Sequence, residues 1–153
     1  MKNLIVYFSW SGNTEKLVTE LNKEFNYEIL RVERKIPYSD DYNTCAYVEA
    51  KGEWQNKIYP EIKNLNVDYS KYENILLFFP IWWYRFPMPI ASFVKDLKGF
   101  KGNVYVFANS YTNDPLYMQN SMKELKELDK NLIFKEGLFN KSVKAHIEFI
   151  KKI

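Results

Sequence analysis

The chain has 153 residues, 46% of them apolar and 27% charged, with a net charge of +3. That length suits one domain with a self-sufficient core, residues 1–153, and the charge is too small by itself to imply nucleic-acid binding. A single cysteine, Cys45, and a single histidine, His146, rule out an internal disulfide and leave too few ligands for a structural zinc site.

In chain order, the first apolar run is Leu4-Ile5-Val6-Tyr7-Phe8, which stops at Ser9. Its β-branched and aromatic content predicts a strand buried on both faces, as in a parallel sheet. The run is too short for a signal-peptide core or a membrane span, so the expected setting is the cytoplasm, away from membranes. A polar loop follows, Ser9-Trp10-Ser11-Gly12-Asn13-Thr14. Leu17, Val18, Leu21 and Phe25 then give one buried stripe of a helix. Residues 27–32 predict a second strand and complete a βαβ unit. Residues 36–42 carry turn residues and predict a loop. Residues 43–58 suggest a helix with a weak stripe of Tyr47, Trp54 and Ile58, limited by Pro60. Residues 61–72 read mostly as connection.

Ile75-Leu76-Leu77-Phe78-Phe79 is the strongest buried-strand signal, and it ends at Pro80-Ile81-Trp82-Trp83-Tyr84. Ile90, Phe93, Val94 and Leu97 stripe the next helix, with Pro89 suited to its first position. Val104-Tyr105-Val106-Phe107-Ala108 is a fourth strand, and residues 109–114 are a polar loop. Asp114-Pro115 reads as an N-cap followed by the first helical residue, with Met118, Met122, Leu125 and Leu128 buried behind it. Residues 132–134 and 137–139 form a last strand region. Val143, Ile147 and Ile150 stripe a C-terminal helix, on which His146 reads as partly exposed. Cys45 reads as a structural or surface thiol, since no resolving cysteine exists. Strands alternating with helices predict an α/β fold with a parallel sheet covered on both faces. Ligands of such sheets sit outside the C-terminal strand ends, where strand order reverses. The loops 9–14, 80–86 and 109–114 qualify.

Glycine positions narrow the ligand. Gly occurs only at 12, 52, 99, 102 and 137, so neither the G-x-G-x-x-G fingerprint nor a P-loop is present. The first loop remains. Backbone N–H groups at a helix N-terminus favour an anion. Ser9, Ser11 and Thr14 add hydroxyls, and Gly12 lets the backbone curl close. No Lys or Arg lies within the loop, so a phosphate there would rest in a nest of neutral dipoles. The same Ser and Thr residues also suit plain helix capping.

Residues 7–14, Tyr-Phe-Ser-Trp-Ser-Gly-Asn-Thr, resemble the phosphate-binding loop of flavodoxins. The run from Tyr72 to Trp83, followed by Pro87, Pro89 and Phe93, resembles a short-chain branch of that superfamily with a Pro-x-Trp-Trp loop after its third strand. The resemblance implies a flavodoxin-like three-layer sandwich with a five-stranded parallel sheet in the order 2-1-3-4-5. It also implies FMN as cofactor. Residues 9–14 would hold the phosphate. Pro80, Ile81, Trp82, Trp83 and Tyr84 would lie at the flavin, whose flat ring suits aromatic stacking. Asn109, Ser110 and Tyr111 would face the pyrimidine edge. Here the chain departs from its relatives, which tend to carry Thr-Ser-Gly-Gly-Ser. Residues 109–114 lack glycine, and they also read as a surface loop leading into the next helix.

No residue stands out as a general acid or base, and flavin redox chemistry needs none on the protein. The resemblance implies electron transfer through bound FMN, with a protein redox partner. The alternatives are an FMN-dependent NAD(P)H oxidoreductase acting on a quinone or similar acceptor, and a flavodoxin-like module without FMN. A monomer and a homodimer both fit.

Overall fold

The computed structural model describes residues 2–153. The first apolar run forms β1 (Asn3–Tyr7), every residue of which is buried. It pairs in parallel with β2 (Glu28–Arg31) on one side and β3 (Asn74–Pro80) on the other. Then come β4 (Asn103–Asn109) and β5 (Ile133–Phe139), both parallel. The sheet order is β2-β1-β3-β4-β5, as the resemblance implies. The unbroken apolar runs are explained by this order. β1 and β3 lie inside the sheet and carry side chains into two cores, one on each face. Edge strand β2 is only half buried.

Among the described residues, α1 (Asn13–Phe25), α2 (Lys51–Asn56), α3 (Met88–Asp96) and α4 (Leu116–Leu128) lie between the strands, and α5 (Val143–Ile150) follows β5. On one face, the Phe78 and Phe107 rings stack at 4.5 Å beneath α5. Burying each such ring contributes about 2–3 kcal/mol, which fixes the strands that carry the loops. Among the described residues, no helix is long and apolar enough to cross a membrane.

Four local expectations are corrected. The last strand region is one continuous strand, with a register shift against β4 between Val106 and Ala108. Gly137 makes the shift possible, because a Cβ there would stand 2.6 Å from the Val106 carbonyl. Pro89 occupies the second position of α3, after Met88, with Pro87 as N-cap. Pro115 is the N-cap of α4, while the Asp114 carboxylate accepts from the Leu116 N–H at 2.9 Å. His146 is buried rather than partly exposed. Its ring packs against Phe78 and Phe107, and its Nδ1 lies 2.7 Å from the Ser142 carbonyl. Burial lowers its pKa from the ordinary histidine value.

The helix expected over residues 43–58 is two joined pieces. Residues Thr44–Ala50 are π-helical and run directly into α2. A π-helix advances by i→i+5 bonds and clusters at functional sites. A buried polar group anchors it. The Tyr38 hydroxyl donates to Glu53 Oε1, Arg34 sits 3.3 Å from Glu53 Oε2, and the Ser39 N–H donates to Glu49 at 2.7 Å. Burial raises the Glu53 carboxyl pKa, against the pull of Tyr38 and Arg34.

Candidate functional site

The C-terminal ends of β1, β3 and β4 deliver the loops 9–14, 80–86 and 109–114 to one side of the sheet. Together they enclose a cavity of about 460 Å³. Its walls include Trp10, Ser11 and Asn13 from the first loop, residues 80–84 from the second, and Asn109, Ser110 and Tyr111 from the third. Three of the expected residues stand behind the wall instead. Ser9 and Thr14 are buried, and Gly12 shapes the turn.

The first loop is built around Gly12, the N-cap of α1, at φ 98°. That conformation costs glycine nothing. Ser9 Oγ accepts from the Gly12 N–H at 3.1 Å. No side chain caps α1, so plain capping by Ser11 or Thr14 is not their role. Thr14 Oγ1 donates instead to Asn109 Oδ1 at 2.8 Å, and Asn13 Nδ2 donates to the Tyr111 hydroxyl at 3.2 Å. First and third loops are therefore tied across the cavity. The first N–H groups of a helix have no intrahelical acceptor, and those of α1 open beside the exposed Ser11. A cation also stands close to the loop. Arg31, from β2, donates to the Ser9 carbonyl at 3.0 Å and pairs with Glu15 at 2.8 Å.

The second loop makes a tight hairpin, with the Trp82 N–H donating to the Arg85 carbonyl at 2.8 Å. Its two central residues, Trp83 and Tyr84, have φ of 51° and 73°. Such a turn normally takes Asn or Gly. Left-handed backbone at bulky residues costs about 1–3 kcal/mol each. At Trp83 the contacts offset the cost. Its indole stacks on Trp54 at 6.0 Å and meets Tyr47 edge-on at 5.4 Å. Its Nε1 donates to the Ala46 carbonyl at 2.8 Å, and Lys51 Nζ lies 5.1 Å from the ring centroid. Ring pairs of this kind contribute about 0.5–1.5 kcal/mol apiece. Tyr84 is 54% exposed and has less to hold it. Trp82 is wedged edge-on against Phe8 at 5.2 Å and Tyr38 at 5.3 Å. Thus Trp82 and Trp83 are fixed walls, and Tyr84 is the exposed member of the turn.

The flavodoxin family model matches residues 2–152. The chain belongs to the flavodoxin family. Among solved structures, it is similar to a flavoprotein of Lactobacillus acidophilus NCFM in complex with FMN. That match has 26% identity, covers 97% of this chain and 98% of the other, and has a TM-score of 0.80. The apo form of the flavoprotein from that organism shares 30% identity over 92% of both chains, with a TM-score of 0.70. A protein of Bacteroides eggerthii shares 27% identity over 99% of this chain and 97% of its own, with a TM-score of 0.83. No curated protein matches the chain.

Within this flavodoxin-family fold, the cavity has a fourth wall that sequence reasoning missed. Tyr42 and the π-helical segment supply it, through Cys45, Ala46, Tyr47 and Ala50, while α4 adds Tyr117. A π-helix does not repeat at 3.6 residues, so its cavity face leaves no helical stripe. Tyr42 and Tyr47 sit 6.3 Å apart and extend the aromatic lining from Trp10 to Trp83. Cys45 is buried beside it, and burial pushes its thiol pKa up to about 12. A neutral thiol of that kind packs rather than reacts.

Proposed function

We propose that this flavodoxin-family chain binds FMN in the strand-end cavity and transfers electrons through it. One observation carries the reading. A single cavity of about 460 Å³ has Ser11 and the N-terminus of α1 at one end and an aromatic lining elsewhere. That volume lies within the usual range for small-molecule sites, about 300–1,000 Å³. The residues fit the group. The N–H groups of Ser11, Asn13 and Thr14 and the Ser11 hydroxyl would hold the phosphate, while the Gly12 N–H is spent on Ser9 Oγ and Arg31 is paired with Glu15. Trp10, Tyr47, Trp82, Trp83 and Tyr84 would border the ring, and Asn109 to Tyr111 its polar edge. The FMN complex of the similar Lactobacillus flavoprotein supports this reading.

When bound, the flavin supplies electron and hydride transfer. The chain's own residues do the rest. Trp82 and Trp83 would border the ring and exclude water from it. The first loop orients the phosphate without a cationic side chain in contact, so binding rests on aligned dipoles. The same reading takes residues 1–153 as one cytoplasmic domain of the branch with the Pro-x-Trp-Trp loop, acting as monomer or homodimer with a redox partner protein.

The test is the visible absorption of the purified protein, with and without added FMN. Flavin bands with a saturable, stoichiometric titration are expected. Neither bands nor binding would leave only the module without FMN. One observation favours the second reading, an FMN-dependent NAD(P)H oxidoreductase with a quinone or similar acceptor. A further cavity of about 310 Å³ shares Tyr84 with the first and reaches Trp54 and Arg85. Rapid bleaching of the bound flavin by NADH or NADPH would select the enzyme. No bleaching by either, with reduction by dithionite, would select the carrier.

A further inference from the structure

We infer that Asn140 is a positioning residue for the flavin site: its side-chain amide holds the third loop in its curled form. The inference rests on FMN occupying the strand-end cavity. Asn140 follows β5 and lies outside all three candidate loops. Its backbone is left-handed, at φ 53°, a conformation that asparagine tolerates better than other non-glycine residues. Its N–H donates to the Ala108 carbonyl at 3.0 Å, which sets it beside the end of β4. From there its side chain reaches three points of the third loop. Oδ1 accepts from the Ser110 N–H at 2.6 Å. Nδ2 donates to the Thr112 carbonyl at 3.3 Å and lies 3.4 Å from Asn113 Oδ1. One amide thus closes residues 110–113 into a compact turn.

A loop without glycine cannot curl by left-handed backbone of its own without strain. The curl here is imposed from the next strand end. Its effect falls on the cavity, because the residues so held include Ser110 and Tyr111, two of its lining residues. The hold then passes to the first loop. Tyr111 accepts from Asn13, and the neighbouring Asn109 accepts from Thr14. Asn140 touches neither loop's ligand-facing atoms and acts through others.

The experiment compares Asn140→Gly, Asn140→Asp and wild type, with FMN and riboflavin as probes. Glycine keeps the left-handed backbone and removes the amide. Aspartate keeps the acceptor for the Ser110 N–H and removes the donor. Asn140→Gly is expected to weaken FMN and riboflavin each about tenfold, the scale of losing one intramolecular hydrogen bond. It should also shift the visible absorption bands of the bound flavin, while apo-protein melting stays near wild type. Asn140→Asp should recover part of the affinity and the wild-type band positions. A merely structural role would lower the melting temperature and leave the bands in place, and that result would overturn the inference. So would wild-type affinity and spectrum in both variants. If wild-type protein binds FMN and the variants match it, only this inference fails. If wild-type protein binds no FMN, the function reading fails with it.

Discussion

Two turns at the same end of the sheet adopt left-handed backbone by opposite means. In the first loop Gly12 takes φ 98° with no side chain to strain. In the second, Trp83 and Tyr84 take φ of 51° and 73° with large rings attached. The first turn is shaped by a residue that lacks a side chain. The second is held by what its side chains touch. A phosphate needs close backbone approach, which a Cβ obstructs. A flavin ring needs flat apolar walls, which glycine cannot provide. On the proposed reading, the unequal strain of the two turns would match the two ends of one ligand.

The largest expected break of this comparison is Trp83→Ala. It removes the Trp54 and Tyr47 contacts and the Ala46 hydrogen bond but keeps a Cβ at positive φ. Stability should fall by about 3 kcal/mol, measured by urea unfolding of the apo protein. Trp83→Gly should fall by about 1 kcal/mol less, since the backbone strain is relieved. Equal losses for the two variants would show that the turn stores no strain. Next is Ser11→Ala. Ser11 is exposed in the first loop, and on the proposed reading its hydroxyl would donate to the phosphate. FMN binding should weaken by about 2 kcal/mol, with riboflavin unchanged, in parallel fluorescence titrations. A matching loss for riboflavin would place the phosphate elsewhere.

Gly12→Ala sharpens the other side. A Cβ at Gly12 meets nothing within 4 Å, so any cost comes from the backbone alone. About 1 kcal/mol of apo stability should be lost. No loss in the melting temperature would mean that the loop relaxes freely. The smallest effect expected is a gain. Tyr84 is 54% exposed, and its ring contacts with Trp54 and Tyr117 are tilted. Tyr84→Gly should stabilise the apo protein by about 0.5 kcal/mol through relief of the turn, seen as a raised unfolding midpoint. A lowered midpoint would show that the tilted contacts outweigh the strain.

The sheet was legible because β1 and β3 are buried on both faces, leaving runs such as residues 75–79 with no polar interruption. The loops were legible because they follow those runs directly. What the chain hid has physical reasons. The fourth wall lies largely on a π-helix, whose repeat hides the shared cavity face of Cys45, Ala46 and Ala50 from a search at 3.6 residues, so that Tyr47 read only as part of a weak stripe. The direction of the Thr14 hydroxyl depends on Asn109, 95 residues away. His146 keeps the spacing of a buried stripe under a polar identity. Asn140 is one asparagine among many until β5 is placed beside β4.

The tryptophans of this chain all fall in one place. Trp10, Trp82 and Trp83 line the cavity, and Trp54 stacks on Trp83 at 6.0 Å. The chain has four in all. Tryptophan emission, excited at wavelengths where the twelve tyrosines do not absorb, is therefore a local signal. Tryptophan emission recorded during ligand addition reads the strand-end loops directly, while the α5 face of the sheet, lined by Phe, Tyr and His, contributes no tryptophan to the same measurement.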